Sequence, residues 1–238
     1  RTVIYDDWGF MNTLEKKVTF CGEIYWHNPE TGVEYARVAA GVQFPGKKQG
    51  FACVLGETEA RDAAGLSRNY YLLAEIEEAG LQTFIERVNE LKQIFSIVDI
   101  YGDPNDRTAQ EFLYAFNLEL RERRQRGFYL SRPPLLGEKG QFEYCCQVIF
   151  KHVRAGRKTL HFGPASKLPA YLLEFGQEHI RSGRPDDFPA IAALGYVLTA
   201  LDIWQAWKPD TRIRAAADYD PFDSSFWDRQ PSEYDIFK

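Results

Sequence analysis

The stretch LQTFIERVNELKQIFSIVDIY, residues 81–101, decides how the chain folds. Leu81, Phe84, Ile85, Val88, Leu91 and Phe95 recur every three or four residues, which lines them along one face of a helix. Residues 96–101 then become a short apolar strand bounded by Gly102 and Pro104, and residues 109–120 return to helical spacing through Phe112, Leu113, Phe116 and Leu120. Upstream, the pattern is β. Residues 18–27 and 32–43 are rich in β-branched and aromatic side chains and flank NPETG at 28–32, a hairpin connection. Residues 51–56 form a third strand, a polar loop is expected through Ser67, and residues 70–76 form a fourth. Four strands succeeded by helix, strand and helix demand a crossover, and so a partly parallel sheet. Downstream, residues 132–140 read as a loop, 142–153 as a helix, 158–162 as a strand, 168–175 as the start of a helix and 189–207 as a last helix. The expected class is α/β, a mixed β-sheet flanked by helices.

With 238 residues and 45% hydrophobic content, the chain can bury a sizeable core in one domain. It has no run of roughly 18 or more apolar residues and no charged-then-apolar leader, so a cytoplasmic protein without a membrane span is expected. Cys21, Cys53, Cys145 and Cys146 lack CxxC spacing and read as buried thiols. His27, His152, His161 and His179 are scattered and read as structural hydrogen-bonders. The sequence holds no GxxxxGK[ST] loop and no nucleophile elbow, so neither nucleotide hydrolysis nor acyl transfer is indicated. The net charge of −5 excludes gripping nucleic acid by a general positive field, and any such contact must be local.

Two acidic segments lie where strand and helix patterns change over: YGDPND at 101–106 and RPDDFPAIAAL at 184–194. Asp103 follows the apolar strand at its carboxyl end, where open α/β sheets place their ligands. Turn and cap chemistry explains the same residues without function, and Asp106 in particular fits an N-cap for the next helix. Asp186 and Asp187 gain from the dipole of the helix they precede, yet two adjacent acids stay charged together more readily beside a cation. A pair of acids plus a distant third is the donor set of a two-metal phosphodiesterase, with ions roughly 4 Å apart.

The order of elements makes an RNase H-like domain one candidate among several α/β folds, and across roughly residues 35–205 the chain resembles the nuclease domain of the large subunit of phage terminases, the motors that package DNA into tailed phages, which are RNase H-like. The resemblance rests on AAGVQFPG at 39–46 as the first active-site strand, YYLLAE at 70–75 before the crossover helix, and IYGDP at 100–104 as the second acidic motif. It continues with His161 and Phe162 ahead of LLEF at 172–175, and closes with DDFPAIAAL at 186–194. It implies an arm or linker at 1–16, a nuclease domain at 17–207 and a tail at 208–238. It also implies Mg2+ or Mn2+ held by Asp103, Asp186, Asp187 and position 43, with the three aspartates catalytic. Double-stranded DNA is the implied substrate, and a packaging ATPase, a portal or a small terminase subunit are the implied partners; the ATPase would lie on another chain or on a segment outside this sequence.

Two departures bear on that expectation. Where the family's first strand ends in a metal-bridging aspartate, this chain has Gln43, whose amide offers a hard cation one neutral oxygen and no charge. Ala190 stands where many relatives carry another aspartate. Glu57 or Glu59 could stand in, although a strand-edge carboxylate explains both. For DNA contact the candidates are Lys47 and Lys48 near the first strand, with Lys151, Arg154, Arg157 and Lys158 around the turn before residue 160. The basic run at 121–126 reads as a solvated helix end. The chain is thus expected to be a working metal-dependent endonuclease cleaving double-stranded DNA; the alternative is a pseudonuclease that keeps the fold for DNA binding or assembly, and ranked after both is an α/β interaction domain whose acids only cap helices.

Overall fold

The structure is a computed structural model that describes residues 2–4, 15–18, 24–29, 32–62, 65–103, 106–133, 141–153, 159–163 and 165–207. By its contacts the chain divides into Arg1–Ile203 and Trp204–Lys238, and the sheets and helices through Ile203 belong to the first unit. The tail expected at 208–238 and the loop residues 134–140 lie outside the described residues.

The central sheet is α/β in character and mixed in direction. Its strands are β1 (Thr2–Ile4), β5 (Arg37–Gln43), β6 (Gly50–Asp62), β7 (Gly65–Glu78), β8 (Asp99–Tyr101), β9 (Leu130–Ser131) and β10 (Leu160–His161), in the order β1-β7-β6-β5-β8-β9 with β10 also on β7. Strands β5, β6 and β7 run antiparallel in succession. After α1 (Leu81–Ile94), β8 returns parallel to β5, and after α2 (Arg107–Glu122), β9 adds parallel to β8. Thr2–Ile4, within the stretch read as an arm, pairs antiparallel with β7. A second sheet joins β2 (Glu15–Val18), β3 (Ile24–His27) and β4 (Glu34–Tyr35). The hairpin expected at 28–32 is present: Asn28 N donates to Val33 O and Gly32 takes φ +70°, a conformation that glycine adopts without steric cost.

Residues 38–44 are buried without alternation, the mark of a strand covered on both faces. Phe44 meets Phe84 of α1 edge to face, while Gly41 lies against α6 (Pro189–Trp207), so α1 and α6 cover opposite faces of β5. Every residue from 190 to 201 is buried, which explains the unbroken apolar run of α6. Among the described residues no helix is long and apolar enough to cross a membrane. Of the apolar stripe of α1, Phe84, Ile85, Val88 and Leu91 are buried as the spacing predicts. Asp106 accepts from Ala109 N at 3.0 Å and so caps α2, the role expected of it. The described residues further include helices α3 (Gln141–Val153), α4 (Leu168–Glu174) and α5 (Gln177–Ser182) and a 3-10 turn, Pro185–Asp187.

The polar stretch expected as a loop through Ser67 is instead strand. β6 and β7 remain paired out to Asp62 and Gly65, as a long two-stranded ribbon. Residues 57–69 carry no alternating apolar period, so composition alone reads as loop. Its root is pinned by Glu57, 1% exposed, which accepts from Arg68 at 2.6 Å. Removing one partner of a buried pair leaves an uncompensated charge, so Arg68→Ala is expected to cost about 3 kcal/mol, while the double variant Glu57→Gln/Arg68→Ala recovers at least about half. Urea midpoints check this; a loss under about 1 kcal/mol for Arg68→Ala contradicts it.

Candidate active site at the carboxyl ends of two parallel strands

The parallel register of β5 and β8 matches Ala39 with Asp99, Ala40 with Ile100 and Gly41 with Tyr101. Two residues further on, that register brings Gln43 level with Asp103. The strands keep their approach at the intervening step: a Cβ on Gly102 would lie 2.9 Å from Val42 O, and Gly102 N donates to Ser131 O of β9. Both chains leave the sheet here, so Gln43 and Asp103 sit at the carboxyl ends of adjacent parallel strands, the edge at which α/β sheets hold ligands.

The second acidic segment arrives from α6. The turn Pro185–Asp187 closes with Phe188 N donating to Pro185 O, Pro189 opens the helix, and Ala192 N bonds Phe188 O. This sets Asp186 over the strand end, where Gln43 Nε2 donates to Asp186 Oδ1 at 3.1 Å. One face of α6 then supplies Tyr196, whose hydroxyl donates to Gln43 Oε1 at 3.4 Å. Burial pushes the Tyr196 phenol well above its ordinary range, with Cys145, Asp103 and Asp186 adding to the effect. The phenol therefore stays protonated and available as a donor. Asp103 and Asp186, far apart in sequence, thus gather around Gln43 and Tyr196.

Asp187 takes a different side. It lines a cavity of about 520 Å³ together with Lys47, Lys48, Glu77, Tyr171 and Phe188. Burial raises the Glu77 carboxyl, but hydrogen bonds from Lys167 (2.5 Å) and Tyr171 (2.6 Å) outweigh it and hold the group below the usual carboxylate range. Lys48 Nζ stands 5.5 Å from the Phe188 ring, and Lys47 and Lys48 are both exposed on the bend after β5. Lysines that follow the strand ending in Gln43 and an aspartate from the second acidic segment thus border one opening.

The remaining candidates separate. Lys151 pairs with Asp202 at 2.8 Å on the α3 to α6 contact, and Arg154, Arg157 and Lys158 lie outside the described residues. Glu57 pairs in register with Arg37, the far end of β5 from Gln43, roughly 20 Å away at the strand rise, and Glu59 follows it outward, so neither replaces the missing acid. Ala190 is buried against the core. His152 sits between Thr159 and Asp202, His161 stacks on Tyr71, and His179 Nδ1 accepts from Gly176 N; none joins the acidic group. Cys53, Cys145 and Cys146 are buried free thiols as expected, the last two pushed up to about 12, chiefly by burial.

Whether these residues suit a pair of divalent ions is a question of donors. Hard cations need several oxygens, and a two-ion centre needs an anionic one to share. Gln43 turns its NH2 group toward Asp186 and its carbonyl toward Tyr196. Among the described residues no group of three or more Asp, Glu, His or Cys side chains is arranged to hold a metal. As oriented, the donor set does not fit a two-ion centre. Tyr196 was not legible as a site residue, because a tyrosine within the apolar run of 189–201 reads as core. No family model matches the chain, and no curated protein is significantly similar to it.

Proposed function

We propose that this chain is an RNase H-like module of the terminase large-subunit type in which strand-end chemistry has been suspended, leaving a domain that engages double-stranded DNA or a packaging partner. The observation that carries the reading is the meeting of Gln43, Asp103 and Asp186 at the carboxyl ends of β5 and β8, with an amide in the central place. Further support comes from the sheet: three antiparallel strands, a crossover helix, a parallel strand, a helix and a second parallel strand succeed one another as an RNase H-like reading expects. Lys47 and Lys48 offer DNA a local positive edge on an acidic protein. The partners of such a module would be a packaging ATPase, a portal or a small terminase subunit.

A working endonuclease dependent on Mg2+ or Mn2+ is the second reading, favoured by the retention of both Asp103 and Asp186 beside position 43. DNA binding tests what the two readings share. In fluorescence anisotropy with a duplex of roughly 25 base pairs, Lys47→Glu/Lys48→Glu is expected to weaken binding by about tenfold or more and to reduce the salt slope by about 2. An unchanged affinity would remove DNA from the proposal.

A further inference from the structure

We infer that the NH2 group of Gln43 stands in for a cation between the strand end and Asp186, and that Tyr196 is the positioning residue that keeps the Gln43 carbonyl out of metal reach. The inference deepens the proposed function and rests on it for the view that this edge once served metal chemistry.

Gln43 can present its amide in two ways, differing by half a turn about the last side-chain bond. An ionised carboxylate only accepts hydrogen bonds, so the atom facing Asp186 Oδ1 at 3.1 Å must be Nε2. The opposite orientation would set a carbonyl against a carboxylate, two acceptors with no proton between them. The Tyr196 contact is long, at 3.4 Å, and weak in itself. It occupies the Gln43 carbonyl while Asp186 holds the NH2 group, and both ends of a side chain only 6% exposed are thereby satisfied. Tyr196 is itself 1% exposed, anchored in the close contact of α6 with β5, so its hydroxyl has little freedom to move away.

A divalent ion at this edge must first break the Gln43 to Asp186 bond and rotate the amide, so the native protein binds it poorly. A carboxylate at position 43 reverses the balance: without metal it repels Asp103 and Asp186, and with metal it completes an anionic group of three. A stable metal-free site and a metal-dependent one are therefore separated by one side chain.

The test uses the whole chain and measures Tm in chelator and in about 1 mM Mn2+, together with Mn2+ affinity by electron paramagnetic resonance, for the native protein, Gln43→Asp and Tyr196→Phe. Native protein is expected to show the same Tm with and without Mn2+. Gln43→Asp should melt about 5 °C lower in chelator and recover in Mn2+, binding it at least about tenfold more tightly than the native protein. Tyr196→Phe keeps the ring and remains informative where Gln43→Asp fails to fold; freeing the amide to rotate should tighten Mn2+ binding about threefold, a change that loss of a merely structural contact would not produce. Native protein binding Mn2+ as tightly as Gln43→Asp, or Tyr196→Phe leaving the affinity unchanged, overturns the inference. Duplex affinity, measured alongside, separates the cases: its absence defeats the proposed function while Tm and Mn2+ data still judge the amide.

Discussion

Replacing Gly41 with valine is expected to be the most damaging single change in the domain, lowering stability by about 3 kcal/mol or more and Tm by on the order of 10 °C. A Cβ at this position would lie 1.9 Å from Ala193 O and 3.0 Å from Val197 Cβ, so the obstacle is helix backbone rather than a side chain that can swing aside. Relief requires α6 to move off β5. Tyr196 lies between Ala193 and Val197 on that helix, so the same displacement would draw its hydroxyl away from Gln43 and shift the turn that carries Asp186. Stability and site geometry are therefore coupled through one glycine. Thermal and urea unfolding of Gly41→Ala and Gly41→Val check this. A loss below about 1 kcal/mol for valine would mean that the helix is not seated where the strand needs glycine.

The parts of the fold that were legible are those that carry an apolar pattern of their own, either a one-sided stripe or an unbroken run. The spacing from Leu81 to Phe95 specified α1 with its buried stripe, the step from residue 96 to 101 specified β8, and the run from residue 189 specified α6. What escaped was structure whose stabilising interactions are polar or distant. In the outer halves of β6 and β7, Glu57 accepts from Arg68 and Thr58 donates to the Asn69 carbonyl, cross-strand polar pairs that leave no hydrophobic period. β1 and β9 are too short for a pattern, and their pairing with β7 and β8 depends on chain brought back from far away.

For the site, the placement of Asp103 and of position 43 was legible because both end apolar strands. The separation of Asp186 from Asp187 was not: both stand in one 3-10 turn, where adjacent side chains diverge, so Asp186 meets Gln43 while Asp187 borders the cavity with Lys47 and Lys48. Nor could a sequence show which way an amide faces. The expectation that Gln43 lends its carbonyl to a metal assumed that the oxygen points to the acids, whereas Tyr196 takes it.

In the native background, cleavage should respond to a change at position 43 far more than to a change at any other single position in the cluster. Gln43→Asp supplies the missing anionic oxygen between Asp103 and Asp186 without adding bulk, since the new side chain is one methylene shorter. A gain of at least about 100-fold in nicking rate, about 2.7 kcal/mol, is expected if the rest of the edge is intact. Asp103→Ala in the same background should abolish it, because two carboxylates are then too few. The direct measurement is therefore the relaxation of supercoiled plasmid in Mn2+ by the native chain, Gln43→Asp and Gln43→Asp/Asp103→Ala. Little or no cutting by the native chain, cutting by Gln43→Asp, and its loss in the double variant is the predicted result; a folded Gln43→Asp that binds Mn2+ and still does not cut, or a native chain that cuts equally well, would contradict a nuclease edge suspended by one amide.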